Sequence, residues 1–325
     1  MNNEKYTNGG LEQDASAEQF KAFEAELQAA AAAWFRKHGH SVQPGMDHCL
    51  SDPSLWHQNI ILPEVIQMIT CTAYALKIRN PTLKGCLTDS LHNGLSSQAM
   101  KFNLLGPLVA RKDLSPLKAA FGAVGGVWFF GDLRPHFEHY DRQIFNERHG
   151  IPTCLDFALI GQGTGLFIET KLAEPGFDGC PHHQDGSCDG KNPCSFARIA
   201  ECPLTQSGYT YWQRMEEFVL GEAALVDGDT CPFVNYYQFF RNLMFALANQ
   251  GVYNLLYDER NSMFVQRDEQ GNLVDGLCQQ LSEALHRHIW NRVGAFTVQD
   301  LVRAIEKTGR HGDWIQEFKD KYAIK

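Results

Sequence analysis

The chain has 325 residues, 44% of them hydrophobic, which is enough to bury one large core. Its formal net charge of -9 excludes a broad basic surface that would attract nucleic acid, although a local cleft can be basic within an acidic protein. The sequence contains no apolar run of about 18 residues and begins without the apolar core of a signal peptide. We therefore expect a cytoplasmic protein that does not bind membranes.

Three helices are predicted before the first strand, at residues 16–37, 62–76 and 95–105. In the first helix, Ser16 and Gln19 have the spacing of a capping box. In the third helix, Gln98 offers a polar group near one end, either to a functional site or in an ordinary surface or capping role. We expect residues 1–89 to form an N-terminal helical extension of one elaborated domain.

A buried strand is predicted at residues 125–131, where the sequence GGVWFFG is apolar and bounded by glycines. Residues 134–149 follow and are rich in histidine, arginine and acidic side chains. Within this segment, Glu138 either joins a functional site or pairs with Arg134 or Arg142 at the surface.

Residues 153–174 predict two apolar strands joined by a glycine-rich turn, with charges where a core strand is normally apolar. Asp156 lies on the first strand, and Glu169 and Lys171 lie on the second. Desolvating an unpaired carboxylate costs several kcal/mol, so buried charges on a sheet are normally paired or hold a metal. Side chains alternate along a strand, which places Glu169 and Lys171 on one face. The two acids could therefore share a divalent cation.

The alignment of Asp156 with Glu169 requires a particular hairpin register. Paired positions must sum to 325 to align Asp156 with Glu169, or to 327 to align it with Lys171, and both sums are odd. The turn must therefore contain an even number of residues, or one strand must contain a bulge. Gly161, Gly163 and Gly165 offer positive-φ positions for such a turn. A turn of odd length would misalign the two acids, and the motif would then be a chance match.

Four cysteines cluster in a loop predicted at residues 179–203: Cys180, Cys188, Cys194 and Cys202. An even spread of the chain's ten cysteines would place fewer than one in this stretch. In a reducing compartment, thiols are metal ligands more often than disulfide partners. Tetrahedral thiolates favour Zn²⁺ and also suit an iron–sulfur cluster, with His182 as a substitute ligand. The spacing matches no standard metal motif, so zinc, iron–sulfur and unliganded thiols all stay open.

Downstream of the loop, we predict helices at residues 209–221 and 233–250, a strand at residues 252–257 and a helical segment at residues 277–322. The second of these helices places Gln238 and Arg241 three residues apart on one face. Thr297 and Asp300 mark a helix start in the last segment. We expect residues 261–325 to pack on the core.

A second E-x-K triplet, Glu317-Phe318-Lys319, occurs near the end of the chain. Trp314, Ile315 and Phe318 recur there at helical spacing, which places the charges on a solvated face. Composition alone gives about one such triplet in a chain of this size. Only the first copy has the context of a strand.

The order and strand context of Asp156, Glu169 and Lys171 resemble the PD-(D/E)xK nuclease superfamily. Leu155 stands where the superfamily name has proline, a position that often varies. The segments LSSQAMKFNLLGPL, FEHY and YQFFRNLMFAL also resemble one bacterial group of restriction endonucleases. The resemblance implies an α/β protein whose restriction-endonuclease-like core, a mixed central sheet flanked by helices, covers residues 90–260. The cysteine-rich insertion departs from this pattern.

The resemblance also implies a metal site. Asp156, Glu169 and the carbonyl of Thr170 would bind Mg²⁺ or Mn²⁺, which polarises the scissile phosphate. Lys171 would activate the attacking water or neutralise charge that develops in the transition state.

Four further side chains take supporting roles by the same resemblance. Glu138 would be a third acidic group of the site, and Gln98 would border it. Gln238 and Arg241 would hold the catalytic lysine or contact the nucleic-acid backbone. The alternative for Arg241 is a bond to a carboxylate inside the core.

We therefore expect a Mg²⁺-dependent nuclease that hydrolyses nucleic acid, with DNA as the expected substrate and a role in restriction or phage defence. The rival hypothesis is a catalytically inactive nuclease-fold protein that binds partners through a zinc-bound cysteine loop, and the acidic net charge favours it. The sequence does not distinguish DNA from RNA, endonuclease from exonuclease, or monomer from dimer.

Overall fold

The computed structural model describes residues 10–79, 89–126, 128, 131–194, 198–219, 229–267, 273–274, 281, 285 and 287–325. The N-terminal third contains four helices and a small hairpin: α1 (Gly10–Lys37), β1 (Val42–Gln43), β2 (Met46–Leu50), α2 (Pro63–Arg79), α3 (Ser97–Ala110) and α4 (Ser115–Ala123). Helix α1 begins six residues before the predicted start, so Ser16 lies inside the helix and the predicted capping box is wrong. Ser96 caps α3, because its hydroxyl accepts a hydrogen bond from the Ala99 amide.

The remaining described elements run from a group of strands to a group of helices, then to a second group of strands and a final pair of helices. They are β3 (Arg134–Tyr140), β4 (Cys154–Gly161), β5 (Thr164–Lys171), α5 (Pro181–Gln184), α6 (Pro203–Gln206), α7 (Tyr211–Phe218), α8 (Phe233–Ala248), β6 (Val252–Tyr257), β7 (Gln266–Arg267), β8 (Leu273–Val274), β9 (Val293–Thr297), α9 (Val298–Thr308) and α10 (Gly312–Lys321).

A five-stranded mixed sheet in the order β3-β4-β5-β6-β9 forms the centre of the fold. The β3-β4 and β4-β5 pairs are antiparallel, whereas β5-β6 and β6-β9 are parallel. Parallel neighbours need a crossover, and α8 lies in the connection between β5 and β6. The predicted α/β class, with a mixed central sheet flanked by helices, is confirmed.

Both faces of the sheet are covered by helices. On one face, Phe157, Leu166 and Ile168 pack in a core cluster with residues of α1, α3, α9 and α10. On the other face, Phe167 and Tyr253 pack in a second cluster with α7 and α8. The alternation along β5 separates Phe167 from Leu166 and Ile168 as predicted. Residues of both the N-terminal and C-terminal segments therefore contribute to the core of the sheet.

The hairpin between β4 and β5 has the register that the acidic residues require. Every pair of its ladder, from Gly161↔Thr164 to Phe157↔Ile168, sums to 325. The turn therefore contains two residues, Gln162 and Gly163, and Gly163 adopts a φ of 72° that favours glycine. The prediction of an even-length turn is confirmed.

Two secondary-structure predictions need correction. The described residues of the stretch 125–131 lie outside any strand, and the first strand of the sheet begins at Arg134. The C-terminal segment is not wholly helical where it is described, since Val293–Thr297 forms the edge strand β9. β-branched and aromatic residues in VGAFT suit a strand that packs against β6. The predicted helix start is confirmed, because Thr297 and Asp300 form a capping box on α9.

Helix α3 is held in place by residues that are distant in sequence. The side-chain amide of Asn103 donates to the carbonyl oxygen of Asn59 and to the hydroxyl of Tyr322, at 3.0 Å each. The Lys321 ammonium also donates to the Asn59 carbonyl.

Among the helices that the structure describes, none combines the length and apolar character needed to span a bilayer.

Candidate active site

A cleft of about 580 Å³ opens beside β4, β5 and α8. Eight side chains singled out from the sequence line it: Gln98, Glu138, Asp156, Glu169, Thr170, Lys171, Gln238 and Arg241. Glu174 and Asp178 add further acidic groups to its lining. The structure thus brings together residues spread over more than 140 positions of the chain, while their chemical roles stay predictions.

Asp156 is fixed through both of its carboxylate oxygens. Oδ1 accepts from the Lys101 ammonium at 2.6 Å. Oδ2 accepts from the Thr170 amide at 2.8 Å and from the Thr170 hydroxyl at 2.5 Å. Burial opposes ionisation, but the charge of Lys101 and the hydrogen bonds from Thr170 outweigh it and hold the pKa of Asp156 below its ordinary value. Asp156 is therefore a carboxylate at neutral pH.

Glu138 lies next to Asp156 across the β3-β4 ladder, at a point where both strands change face. Phe137 and Phe157 form the pair on one side of this position and pack in the first core cluster. His139 and Leu155 form the pair on the other side, and Leu155 packs in the second cluster. Glu138 itself has a φ of 53°, which is unusual for a side chain other than glycine. Such local strain is common at functional sites.

The carboxylate of Glu138 is buried, and Cys154 Sγ donates to its Oε2 at 3.5 Å. Oε1 accepts from Gln98 Nε2 at 2.7 Å and from Lys101 Nζ at 2.6 Å. Burial raises the pKa of Glu138 even though Lys101 favours its charged form. The surface pairing with Arg134 or Arg142 is thus excluded in favour of contacts inside the cleft.

Lys101 was not predicted from the sequence. Its side chain is fully buried, and its ammonium bridges Glu138 and Asp156. Burial opposes the charge of Lys101, but the two carboxylates outweigh it and raise the pKa of the ammonium. A usable signal was present, because Lys101 is the one charged residue in the otherwise uncharged helix α3.

Glu169 and Lys171 are held by helix α8. Gln238 bridges them, since its carbonyl oxygen accepts from Lys171 Nζ at 2.6 Å and its amide donates to Glu169 Oε1 at 2.7 Å. Asn242 donates to Glu169 Oε2 at 3.0 Å and was missed, although Gln238 and Asn242 are one helical turn apart. Burial and the nearby charge of Asp156 raise the pKa of Glu169 well above its ordinary value.

Arg241 lines the cleft but does not contact the acids on β4 and β5. Its Nε donates to the hydroxyl of Thr153 at 3.0 Å. Its guanidinium lies 4.0 Å from Glu147 and stacks over the ring of Tyr237 at 4.7 Å. Glu147 also accepts hydrogen bonds from the amide and the hydroxyl of Thr153 and from the hydroxyl of Tyr211. The geometry matches the alternative of a core carboxylate partner better than a bond to Lys171.

The chemistry of the cleft fits a hard divalent cation. Within the described residues, no group of three or more His, Cys, Asp and Glu side chains could hold a metal ion unaided. Mg²⁺ does not need such a cage, because it commonly takes one or two carboxylates, waters and substrate phosphates. Asp156 and Glu169 supply two carboxylates that line the same cleft.

The cysteine-rich loop shows a different grouping from the predicted one. Cys188 and Cys202 line a cavity of about 210 Å³ together with Cys231, which was not in the predicted set. Burial raises the pKa of the Cys231 thiol to about 12, and the nearby thiols contribute. Cys194 does not line this cavity, and Glu216 is the charged group that acts on its thiol. His182 bonds Ser187 instead.

The fold and the cleft define a restriction-endonuclease-like protein. A family model described as restriction endonuclease associating with ARP (REase-ARP) matches residues 28–323, and the chain belongs to this family. No curated protein and no solved structure gives a significant match to the chain. Family membership indicates a nuclease that acts on nucleic acid. The matched residues include N-terminal and C-terminal helices as well as the sheet.

Proposed function

We propose that the protein is a metal-dependent nuclease of the PD-(D/E)xK type that hydrolyses phosphodiester bonds in the cleft beside β5. The observation that carries the proposal is the convergence of Asp156, Glu169 and Lys171 on one cleft. Two acids and one lysine on neighbouring strands suit phosphoryl chemistry, where positioning and charge stabilisation do most of the work. DNA is the proposed substrate, and restriction of foreign DNA the proposed role.

The side chains have separable tasks in this proposal. Asp156, Glu169 and the carbonyl of Thr170 would hold Mg²⁺ or Mn²⁺, which supplies Lewis-acid activation of the phosphate. Lys171 is held at 2.6 Å by Gln238, so its ammonium has a fixed direction in the cleft. From there it stabilises negative charge that develops on the phosphate oxygens. Gln238 thus orients the lysine and one acid together.

Cleavage assays on duplex DNA, single-stranded DNA and RNA, with Mg²⁺, Mn²⁺ or EDTA, test the proposal. Asp156→Asn and Lys171→Ala should each reduce cleavage by about a hundred- to a thousand-fold. Lys319→Ala is the matched control, because it removes the lysine of the other E-x-K triplet, where Lys319 binds Glu306. Full activity of Asp156→Asn and Lys171→Ala would place the chemistry elsewhere. A wild-type protein without cleavage on any substrate would favour the binding-module hypothesis.

Zinc at the cysteine-rich loop is a second proposal, with a revised ligand set. It requires the thiols to rearrange, because in the described residues no three His, Cys, Asp or Glu side chains form a group that could hold a metal ion as they stand. Cys188, Cys202 and Cys231 face one cavity, and the Cys180 amide bonds Phe233, two residues after Cys231. Thiolates prefer Zn²⁺ or iron, whereas carboxylates prefer Mg²⁺, so the two sites need not compete.

Elemental analysis of protein purified without added metal checks this ligand set. We expect about one zinc per chain, with most of it lost in Cys231→Ser and kept in Cys194→Ser. Zinc that is lost in Cys194→Ser and kept in Cys231→Ser would instead support the ligand set predicted from the sequence, Cys180, Cys188, Cys194 and Cys202. Iron in place of zinc would indicate an iron–sulfur cluster, and metal-free protein would leave plain thiols.

A further inference from the structure

Lys101 is buried beneath the cleft, and its ammonium lies between two carboxylates that line the cleft. Its ammonium lies 2.6 Å from Glu138 Oε1 and 2.6 Å from Asp156 Oδ1, with no solvent exposure. Ammonium groups are normally exposed because desolvation is expensive. Two carboxylates at hydrogen-bond distance compensate for that cost. The ammonium therefore fills the space between Glu138 and Asp156.

The charges around this lysine leave room for one further cation. Lys101 is shared by Glu138 and Asp156, while Lys171 lies 3.9 Å from Glu169. Glu138, Asp156 and Glu169 thus share two ammonium groups, and Lys101 occupies Oδ1 of Asp156. A further cation would therefore approach Asp156 and Glu169 from the cleft that both residues line. One divalent ion on the Glu169 side is compatible with this geometry.

We propose that Lys101 takes the place of a second metal ion beside Asp156, so that the cleft binds a single divalent cation per chain. The proposal rests on the metal-dependent function proposed above and adds the number of ions that the cleft binds. Lys101 acts here as a positioning residue, because it touches Asp156 and Glu138 rather than the substrate. Loss of its charge opens a second cation site between these two carboxylates.

Mn²⁺ titration of chelator-treated protein, with free Mn²⁺ measured by electron paramagnetic resonance, counts the bound ions without requiring catalysis. We expect one Mn²⁺ in the wild type and two in Lys101→Met, since the methionine leaves Glu138 and Asp156 free to bind a cation. Lys118→Met is the matched control, because Lys118 is an exposed lysine on α4. It should bind one Mn²⁺ with wild-type affinity.

Lys101→Met leaves two buried carboxylates unpaired and can unfold the chain. The double variant Lys101→Met/Glu138→Gln removes one charge of each sign and keeps the volume, which is often tolerated in a core. It should bind one Mn²⁺ about tenfold or more tightly than the wild type, because Asp156 no longer shares its charge with an ammonium. A direct ligand role for Glu138 would instead weaken binding.

The outcomes separate this proposal from the proposed function. Two ions in the wild type, or unchanged or weaker binding in the double variant, overturns the role of Lys101 and leaves metal-dependent cleavage intact. One ion in a folded Lys101→Met protein overturns it in the same way. A wild type that binds one Mn²⁺ without cleaving any substrate contradicts the proposed function alone. No bound Mn²⁺ in any variant, with or without duplex DNA, overturns both.

Discussion

The chain contains the same E-x-K triplet twice, and the two copies have opposite surroundings. In β5, Glu169 and Lys171 point to the same side, because residues two apart on a strand share a face. Both contact Gln238. In α10, Glu317 and Lys319 point away from each other, because residues two apart on a helix do not face each other. Glu317 binds His38 and Lys319 binds Glu306.

The middle residues of the two triplets show the same difference. Thr170 donates its hydroxyl and its amide to Asp156 and so belongs to the cleft. Phe318 is fully buried and packs at 4.7 Å from the ring of Tyr322. The same short motif therefore lines the cleft in one copy and packs in the core in the other, and secondary structure decides which.

Phe318→Ala should have the largest effect on stability. Removing a fully buried phenylalanine typically costs about 3–5 kcal/mol of the free energy of unfolding. Urea unfolding measures this loss, and cleavage per folded molecule should stay at the wild-type level. A folded Phe318→Ala protein without activity would show that the α10 triplet does contribute to the site.

Glu169→Gln and Glu317→Gln should separate the two triplets in activity. Glu169→Gln removes a proposed metal ligand and should reduce cleavage by about a hundred- to a thousand-fold. Glu317→Gln changes a partly exposed contact with His38. Its cleavage rate should stay within about twofold of the wild-type rate, because exposed ion pairs contribute little. Initial rates at saturating Mg²⁺ provide the measurement, and equal losses in both variants would remove the distinction.

The wild type and Glu169→Gln should also differ in how their stability depends on pH, and this is the smallest of the expected effects. Burial raises the folded-state pKa of Glu169 above its ordinary value of 4.5, so the folded state holds the proton more tightly than the unfolded chain does. This stabilisation is complete below the unfolded pKa and is lost as pH rises through the folded pKa, by at most about 1.4 kcal/mol per pH unit. Urea unfolding in EDTA should show this loss in the wild type and not in Glu169→Gln. Parallel pH profiles would contradict it.

The hairpin was predictable because it depends on local rules. Alternation along β5 places Glu169 and Lys171 on one face, and the parity of Asp156 and Glu169 requires an even turn. The structure has this turn at Gln162-Gly163. The helix start at Thr297 was predictable for a similar reason, since a capping box is a contact between residues three apart.

The missed features depend on contacts between distant residues. Lys101 meets its carboxylates 37 and 55 positions downstream, and no local pattern reports such a pair. Cys231 lies 29 positions after Cys202, so a search for closely spaced cysteines overlooks it. The β9 strand is only five residues long and borders a strong helix, which made the whole segment look helical.

The hydrogen bond between Asn103 and Tyr322 connects a late part of the chain to the helix that supports the cleft. These side chains are 219 positions apart, and α3, which carries Asn103, also carries Gln98 and Lys101. Chains grow from the N-terminus at about 5–20 residues per second. A nascent chain that has not yet reached Tyr322 therefore lacks part of the support for the helix that orders Glu138 and Asp156. The cleft therefore gains its full support from α3 only after Tyr322 has packed against that helix.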